Sequence, residues 1–412
     1  MAGLVSDSLG IYISIPFCRS KCTYCNFASG VYPAREHAHY VDRLIVDIAN
    51  AGEWAARMGA ELPGRVDTIY LGGGTPSLLA PELISRLFAA MRAEFAVDPD
   101  AEITVECAPG QLADDALEAL AAAGVNRVSL GVQSFIDREA QACGRLHSRA
   151  VVLDDLQRLR AARIANLNVD LIAGLAGQTF ASWEESLEVL IGCELPHASV
   201  YMLEVDGDSR LGREMLAGGA RYHAELVPTD DAIARMYETA VERLANSGLK
   251  QYEISNFSRT GFQSRHNLRY WQRRPYLGLG LDASSMLREA NGERERFVLR
   301  ATTTDDLKAY LGAPELAETA WLSLEQQHEE AWFLGLRLNA GVKLAELRNE
   351  FGDGTLSRAL LAVARLVDAG LLTSDGETVG LTSQGRLLSN DVFQEFLGLA
   401  GEREAVDRET LV

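Results

Sequence analysis

The feature that most constrains this chain is a rhythm. Between residues 11 and 204 a short β-rich run, a turn and a longer amphipathic stretch follow one another repeatedly. The runs are IYISI (11–15), VDTIYL (66–71), EITVE (102–106), NRVSLG (126–131), LNVDLI (167–172) and ASVYML (198–203). Helical periodicity fills the intervals at 37–58, 81–95, 112–123, 148–163 and 181–192. Apolar strands alternating with helices predict a parallel sheet covered by helices. Six units predict an α/β fold of partial (β/α)6, TIM-like barrel type, shorter than the eight-unit barrel; a flat doubly wound sheet satisfies the same rhythm. After about residue 300 the texture changes. Residues 322–338 and 356–372 read as helices, and LLTSDGETVGLT (371–382) as a hairpin turning near Asp375-Gly376. Helices followed by a hairpin predict a smaller, winged-helix-like α+β domain, read as a packing or interaction module. The expected division is a core barrel over 1–250, a connecting segment over 251–300 and a C-terminal domain over 301–412. The Gly- and Asp-rich region 206–228 is expected to loop over one face.

Composition narrows the setting. The formal net charge of −19 opposes phosphate neutralisation, so a nucleic-acid partner is not expected. No stretch has the length of apolar residues that a membrane span needs, and the opening MAGLVSDSLGIYISIPF lacks the basic and apolar parts of a secretory signal. A cytoplasmic location follows as the expectation, and there clustered thiols bind metal more often than they form disulfides.

Three of the six cysteines, Cys18, Cys22 and Cys25, stand within eight positions in CRSKCTYC, and no fourth lies nearby. Four thiolates would close a tetrahedral zinc site. Three on a short loop suit three corners of a [4Fe–4S] cube with one iron left open. A zinc ion completed by a distant His is the other reading of these residues.

The same eight residues resemble the CxxxCxΦC motif of radical S-adenosylmethionine (SAM) proteins, with Tyr24 at the aromatic position. The resemblance implies that SAM chelates the open iron and that one electron can cleave it. LGGGTPS (71–77) follows the second strand run; read alone it is a tight turn. The resemblance makes Gly73, Gly74 and Thr75 contacts of the methionyl amine. Topology adds to this without the family. Cys18–Cys25, Gly73–Thr75, Glu106, Gln133, Asp170 and Glu204 all fall at or after the carboxyl ends of strand runs, the rim where parallel α/β sites are built.

The likeness covers roughly residues 10–390. NRVSLGVQSF, VDLIAGLAGQT, YEISNFS and HNLRYW are similar to the group holding the oxygen-independent coproporphyrinogen III oxidase and the heme chaperone HemW. It implies SAM contacts at Tyr12, Gly73, Gly74, Thr75, Glu106, Gln133, Arg145 and Asp170. Three features favour the chaperone branch. The first strand begins near residue 11, without the oxidase's longer N-terminal extension. Cys25-Asn26-Phe27 lacks the oxidase's extra cysteine. HNLRYW (266–271) matches the HNxxYW motif associated with heme. His266 is then an axial-ligand candidate, and Arg265, Arg269, Arg273 and Arg274 are candidates for propionates; the residues alone read equally as core filling. Ala108, Ala176 and Asp282 depart from the family pattern. The implied activity is heme binding and transfer to acceptor proteins, served by an electron donor for the cluster, with SAM cleavage open and a homodimer open. The alternative is oxidative decarboxylation of coproporphyrinogen III.

Overall fold

A computed structural model of the chain describes residues 8–290, 297–312 and 317–398; the first seven residues of the opening segment lie outside it. Six strands lie side by side in chain order, all parallel: β1 (Leu9–Ile15), β2 (Arg65–Gly73), β3 (Ala96–Cys107), β4 (Arg127–Gln133), β5 (Asn166–Ala173) and β6 (His197–Met202). Between them run α1 (Ala34–Met58), α2 (Pro81–Glu94), α3 (Asp114–Ala122), α4 (Asp137–Ala142), α5 (Arg149–Ala161) and α6 (Phe180–Gly192). The expected order of six βα units is the observed one. Among the described strands the sheet path does not close on itself, which makes this a partial barrel.

A parallel sheet buried on both faces gives continuous apolar runs. These strands instead alternate. Ile11, Ile13, Ile69, Leu71, Ile103, Val105, Val128, Leu130, Val169 and Leu171 are buried in the main core with the covering helices. Each such side chain contributes roughly 1.5–3 kcal/mol by leaving water. The intervening positions carry Tyr12 and Ser14; Thr68 and Tyr70; Glu102, Thr104 and Glu106; Arg127 and Ser129; Asn168 and Asp170; His197 and Ser199. Because successive side chains point to opposite faces, all of these line the inner, concave face. The lumen is polar from floor to rim.

The chain continues through α7 (Arg210–Leu216), α8 (Asp230–Asn246), β7 (Asn256–Ser258) and α9 (Arg265–Trp271). Then β8 (Tyr276–Leu279) pairs parallel to β1 on its free side, and β9 (Ser284–Glu289), β10 (Val298–Thr303) and β11 (Ala317–Leu322) extend the sheet antiparallel. The segment expected as a connector thus contributes strands to the main sheet. A second core gathers Trp332, Leu347, Leu356, Val363 and Val379 from α10 (Leu324–Leu336), α11 (Leu344–Phe351), α12 (Asp353–Asp368) and the hairpin β12 (Leu372–Ser374)–β13 (Thr378–Leu381), with Phe396 joining from beyond them. At the hairpin tip the Asp375 carboxylate accepts the N–H groups of Glu377 and Thr378, and Gly376 takes the left-handed φ of 86°. No helix among the described residues is long and apolar enough to cross a membrane.

Candidate functional site

The cysteine loop sits at the carboxyl rim, tied down from several sides. Cys18 N–H donates to Gly30 O (2.9 Å), and Gly30 N–H to Pro16 O (2.9 Å). From the turn after β2, Gly74 N–H reaches Ile15 O (2.8 Å) and Thr75 N–H reaches Phe17 O (2.7 Å). A Cβ on Gly74 would stand 2.7 Å from Ile15 O and 2.8 Å from Phe17 O, so no other residue permits this approach. The far side of the loop is held by Thr23 N–H donating to Cys143 O (3.0 Å) and by Leu211 N–H donating to Thr23 O (2.8 Å). The segment 206–228, expected as a loop, carries α7 and packs on the cysteine loop, with Asn26 donating to Asp206 (2.6 Å).

All six cysteines are free thiols. Burial pushes the Cys18 thiol up, opposed by the nearby Ser29 hydroxyl and the Thr75 hydroxyl that donates to its sulfur, with Cys25 and Cys22 adding to the rise through their charge. Among the described residues no three His, Cys, Asp or Glu are gathered as ligands of one ion. A tetrahedral zinc with Zn–S bonds of about 2.3 Å needs its thiolates about 3.8 Å apart; a cube takes each thiolate on a different iron. The donor set, three thiols on one pinned loop, fits a cluster better than zinc.

Around the loop stand the polar residues. Tyr70 donates to Glu106 (2.8 Å), and the Gly73 N–H also supports that carboxylate; burial pushes Glu106 up to about 7, with Asp170 adding to the rise. Asp170 accepts from Ser129 (3.0 Å) and Asn168 (2.7 Å), and burial raises it too. Burial, then the Glu106 charge, raises Tyr12, whose ring stacks on Tyr70 at 6.1 Å. Gln133 takes φ 69° beside a register shift at the end of β4, a left-handed conformation that favours glycine. An added Cβ on Gly131 would lie 2.9 Å from the Arg145 guanidinium and 3.1 Å from the Gln133 amide, so both side chains lie over this bare stretch of strand. Arg145 donates to Tyr24 (3.0 Å), while its buried Nε has no hydrogen-bond partner. That orphaned donor fits the carboxylate of an amino-acid-bearing ligand such as SAM.

The structure therefore brings Cys18, Cys22, Cys25, Gly73, Gly74, Thr75, Tyr12, Glu106, Gln133, Arg145 and Asp170 to one end of the lumen. Glu204 lies beyond β6 and is exposed. His266 lies below this set, its ring 5.2 Å from that of Tyr70. It is 1% exposed, its Nδ1 bonded to Thr68 (2.9 Å) and its Nε2 to Tyr270 (2.9 Å). Burial, then Arg269 and Arg127, push it down to about 3. Neither ring nitrogen is left for iron in this arrangement. Ser264 caps α9, and the Glu102 carboxylate accepts the N–H groups of Arg265 (3.1 Å) and His266 (3.0 Å). Arg269 is fully buried, bonded to Ser8 O, Pro275 O and Asp67; it crosses Gly10, where a Cβ would lie 2.4 Å away. Arg274 reaches Ser8 (2.7 Å) and Arg265 reaches Asp100 O (2.7 Å). Arg273 pairs with Glu350 (2.6 Å) of α11, and Arg337 lies over the Trp271 ring at 4.4 Å. The segment thus plugs the floor and joins it to the C-terminal unit. Asp282, the departure in the turn after β8, is exposed with φ 52°, which Asp tolerates better than most residues.

Sequence reasoning missed Tyr70, Ser129, Gly131 and Asn168. Their signal was the period-two alternation of polar residues inside the strands.

Comparison with known proteins adds identity to this geometry. Residues 12–190 match the Radical SAM superfamily and residues 322–388 the HemN C-terminal domain. The chain is 33% identical to the heme chaperone HemW of Lactococcus lactis, over 94% of this chain and 96% of that one. It is 34% identical to HemW of Bacillus subtilis, over 94% and 98%. A solved structure, coproporphyrinogen III oxidase (HemN) of Escherichia coli, matches with TM-score 0.80 and 22% identity, covering 96% of this chain and 91% of that one. At that identity the likeness is one of fold.

Proposed function

From the premise that the chain belongs to the HemW family of heme chaperones, we propose that it binds heme and passes it to acceptor proteins, under the control of a SAM-binding [4Fe–4S] site at the sheet rim. The observation that carries the reading is the three-thiol loop pinned against Gly74 and Thr75 beside the orphaned Arg145 Nε, in a chain that follows heme chaperones over nearly their whole length. Cys18, Cys22 and Cys25 would hold the cluster. Tyr12, Gly73, Gly74, Thr75, Glu106, Gln133, Arg145 and Asp170 would surround SAM. The cluster, when bound, supplies one-electron chemistry at an open iron. The chain's own residues supply the rest. Arg145 and Gln133 offer donors over Gly131, Asp170 offers acceptor oxygens suited to ribose hydroxyls, and Glu106 can carry a proton near neutral pH. In this reading the barrel 1–250 works with the strands of 251–300, the C-terminal unit buttresses the floor, and the partners are a heme acceptor and an electron donor in the cytoplasm.

Decarboxylation of coproporphyrinogen III is the competing reading, and the fold alone admits it. The position after Cys25-Asn26 argues for the chaperone: Phe27, 59% exposed, stands there in place of a cysteine. The test uses anaerobically reconstituted full-length protein. Stoichiometric heme uptake, followed by transfer to an apo-heme protein, is expected. Efficient conversion of coproporphyrinogen III under reducing, oxygen-free conditions would overturn the reading.

A further inference from the structure

A second cation lies inside the lumen, far below Arg145. Arg127 begins β4 on the inner face, four residues before Gly131, which at strand rise is about 13 Å towards the floor. It is 2% exposed. Its Nε is buried without a hydrogen-bond partner, and no ion pair holds its guanidinium among the described residues. Directly across the strand pair, in register with it, stands Thr104, 0% exposed, whose Oγ1 is also buried and unpartnered. Burying an unpaired guanidinium is costly, and a net charge of −19 offers no shortage of carboxylates with which a purely structural Arg could have been paired. On the other neighbouring strand Asn166 stands in register with it, and its Oδ1 is likewise buried without a hydrogen-bond partner; the remaining side chains nearby are bonded. His266 is bonded on both nitrogens, and His197 is bonded to Asn168 (2.6 Å) and Tyr252 (2.9 Å). Asp170, a carboxylate that feels its charge, is already held by Ser129 and Asn168. Tyr70, Asp170, His197, Tyr252 and His266, from five different segments, all feel the Arg127 charge.

We propose that Arg127 and Thr104 form an anion subsite deep in the lumen that takes one carboxylate of the tetrapyrrole, a propionate reaching down from a macrocycle seated nearer the rim. This rests on the heme-binding reading above. A guanidinium and a hydroxyl side by side present the donors that a carboxylate needs. The two cations then serve different anions: Arg145 the ligand at the rim, Arg127 the arm that enters. A propionate fits the depth because it is a flexible carboxylate carried away from a flat apolar body.

The experiment compares hemin with hemin dimethyl ester, which keeps the macrocycle and iron but removes both carboxylates, titrated into the reconstituted full-length protein. Wild type is expected to bind the free acid about tenfold or more tightly, the worth of a charge-assisted hydrogen bond. Arg127→Gln should bind hemin as weakly as wild type binds the ester, and should leave ester affinity unchanged. Thr104→Val should lose about two- to tenfold for hemin only. Circular dichroism and iron content check the fold of each variant, and Thr104→Val carries the test if Arg127→Gln does not fold. Equal wild-type affinity for acid and ester, or a preference retained in the variants, overturns the subsite while leaving heme binding intact. If wild type binds neither compound, the heme-binding reading itself fails.

Discussion

The two ends of one lumen make opposite use of the same residue types. At the floor, Arg127 and Thr104 apart, polar side chains are spent on each other: His266 on Thr68 and Tyr270, Glu102 on the first turn of α9, Arg269 on Asp67 and two carbonyls. At the rim they keep capacity in hand. Three thiols are free, Arg145 Nε has no partner, and Glu106 sits near neutral pKa. A motif of histidine, arginine and aromatics is therefore not a binding site by composition. What matters is whether its donors and acceptors are already consumed, and in HNLRYW they largely are.

That contrast can be broken at either end. The largest effect belongs to the rim. Replacing Cys18, Cys22 or Cys25 by Ala should abolish iron and acid-labile sulfide after anaerobic reconstitution while the chain stays folded; full retention in any one removes that thiol from the site. The floor should respond in stability instead. Arg269→Met removes the buried partner of Asp67, leaving it Ser8 and the partly exposed Arg274, and bares the carbonyls of Ser8 and Pro275; it should cost about 2–4 kcal/mol in urea unfolding. His266→Ala, deleting a buried ring with two hydrogen bonds, should cost about 2–4 kcal/mol and leave heme affinity of the folded protein unchanged. A His266→Ala protein of wild-type stability with lost heme binding would return His266 to the iron.

The smallest effect sharpens the rim. Glu106 stands above its ordinary value of 4.5, at about 7, chiefly because it is buried. A carboxyl raised in the folded state is penalised when ionised. Its contribution therefore costs nothing below about pH 4.5, and stability falls as pH rises towards 7, with no further loss beyond. Glu106→Gln should remove that slope, so its stability relative to wild type should rise between pH 4.5 and 7 by on the order of 1–3 kcal/mol. Parallel urea midpoints for the two proteins would mean that Glu106 is well solvated and the rim is not as dry as its packing implies.

Much of this was legible along the chain because it is local. Six strand runs, their helices and the hairpin at Asp375-Gly376 are written in periodicities of two and 3.6, which depend only on neighbours in sequence. The rim set was legible too, since parallel strands must end together and the residues at their ends must share a face. Spacing alone also gathered three thiols in CRSKCTYC with no fourth nearby, which suits an open cluster or a zinc closed from a distance. HNLRYW was a different case. Its residue types admit iron, propionate or core, and the partners come from two ranges: Tyr270, one turn along α9, meets Nε2 of His266, while only the tertiary structure carries Thr68 to its Nδ1 and Asp67 to Arg269 across some two hundred residues. Arg127 was equally silent. An unpaired charge is defined by what does not come near it, and no sequence pattern encodes the partners that the tertiary structure withholds.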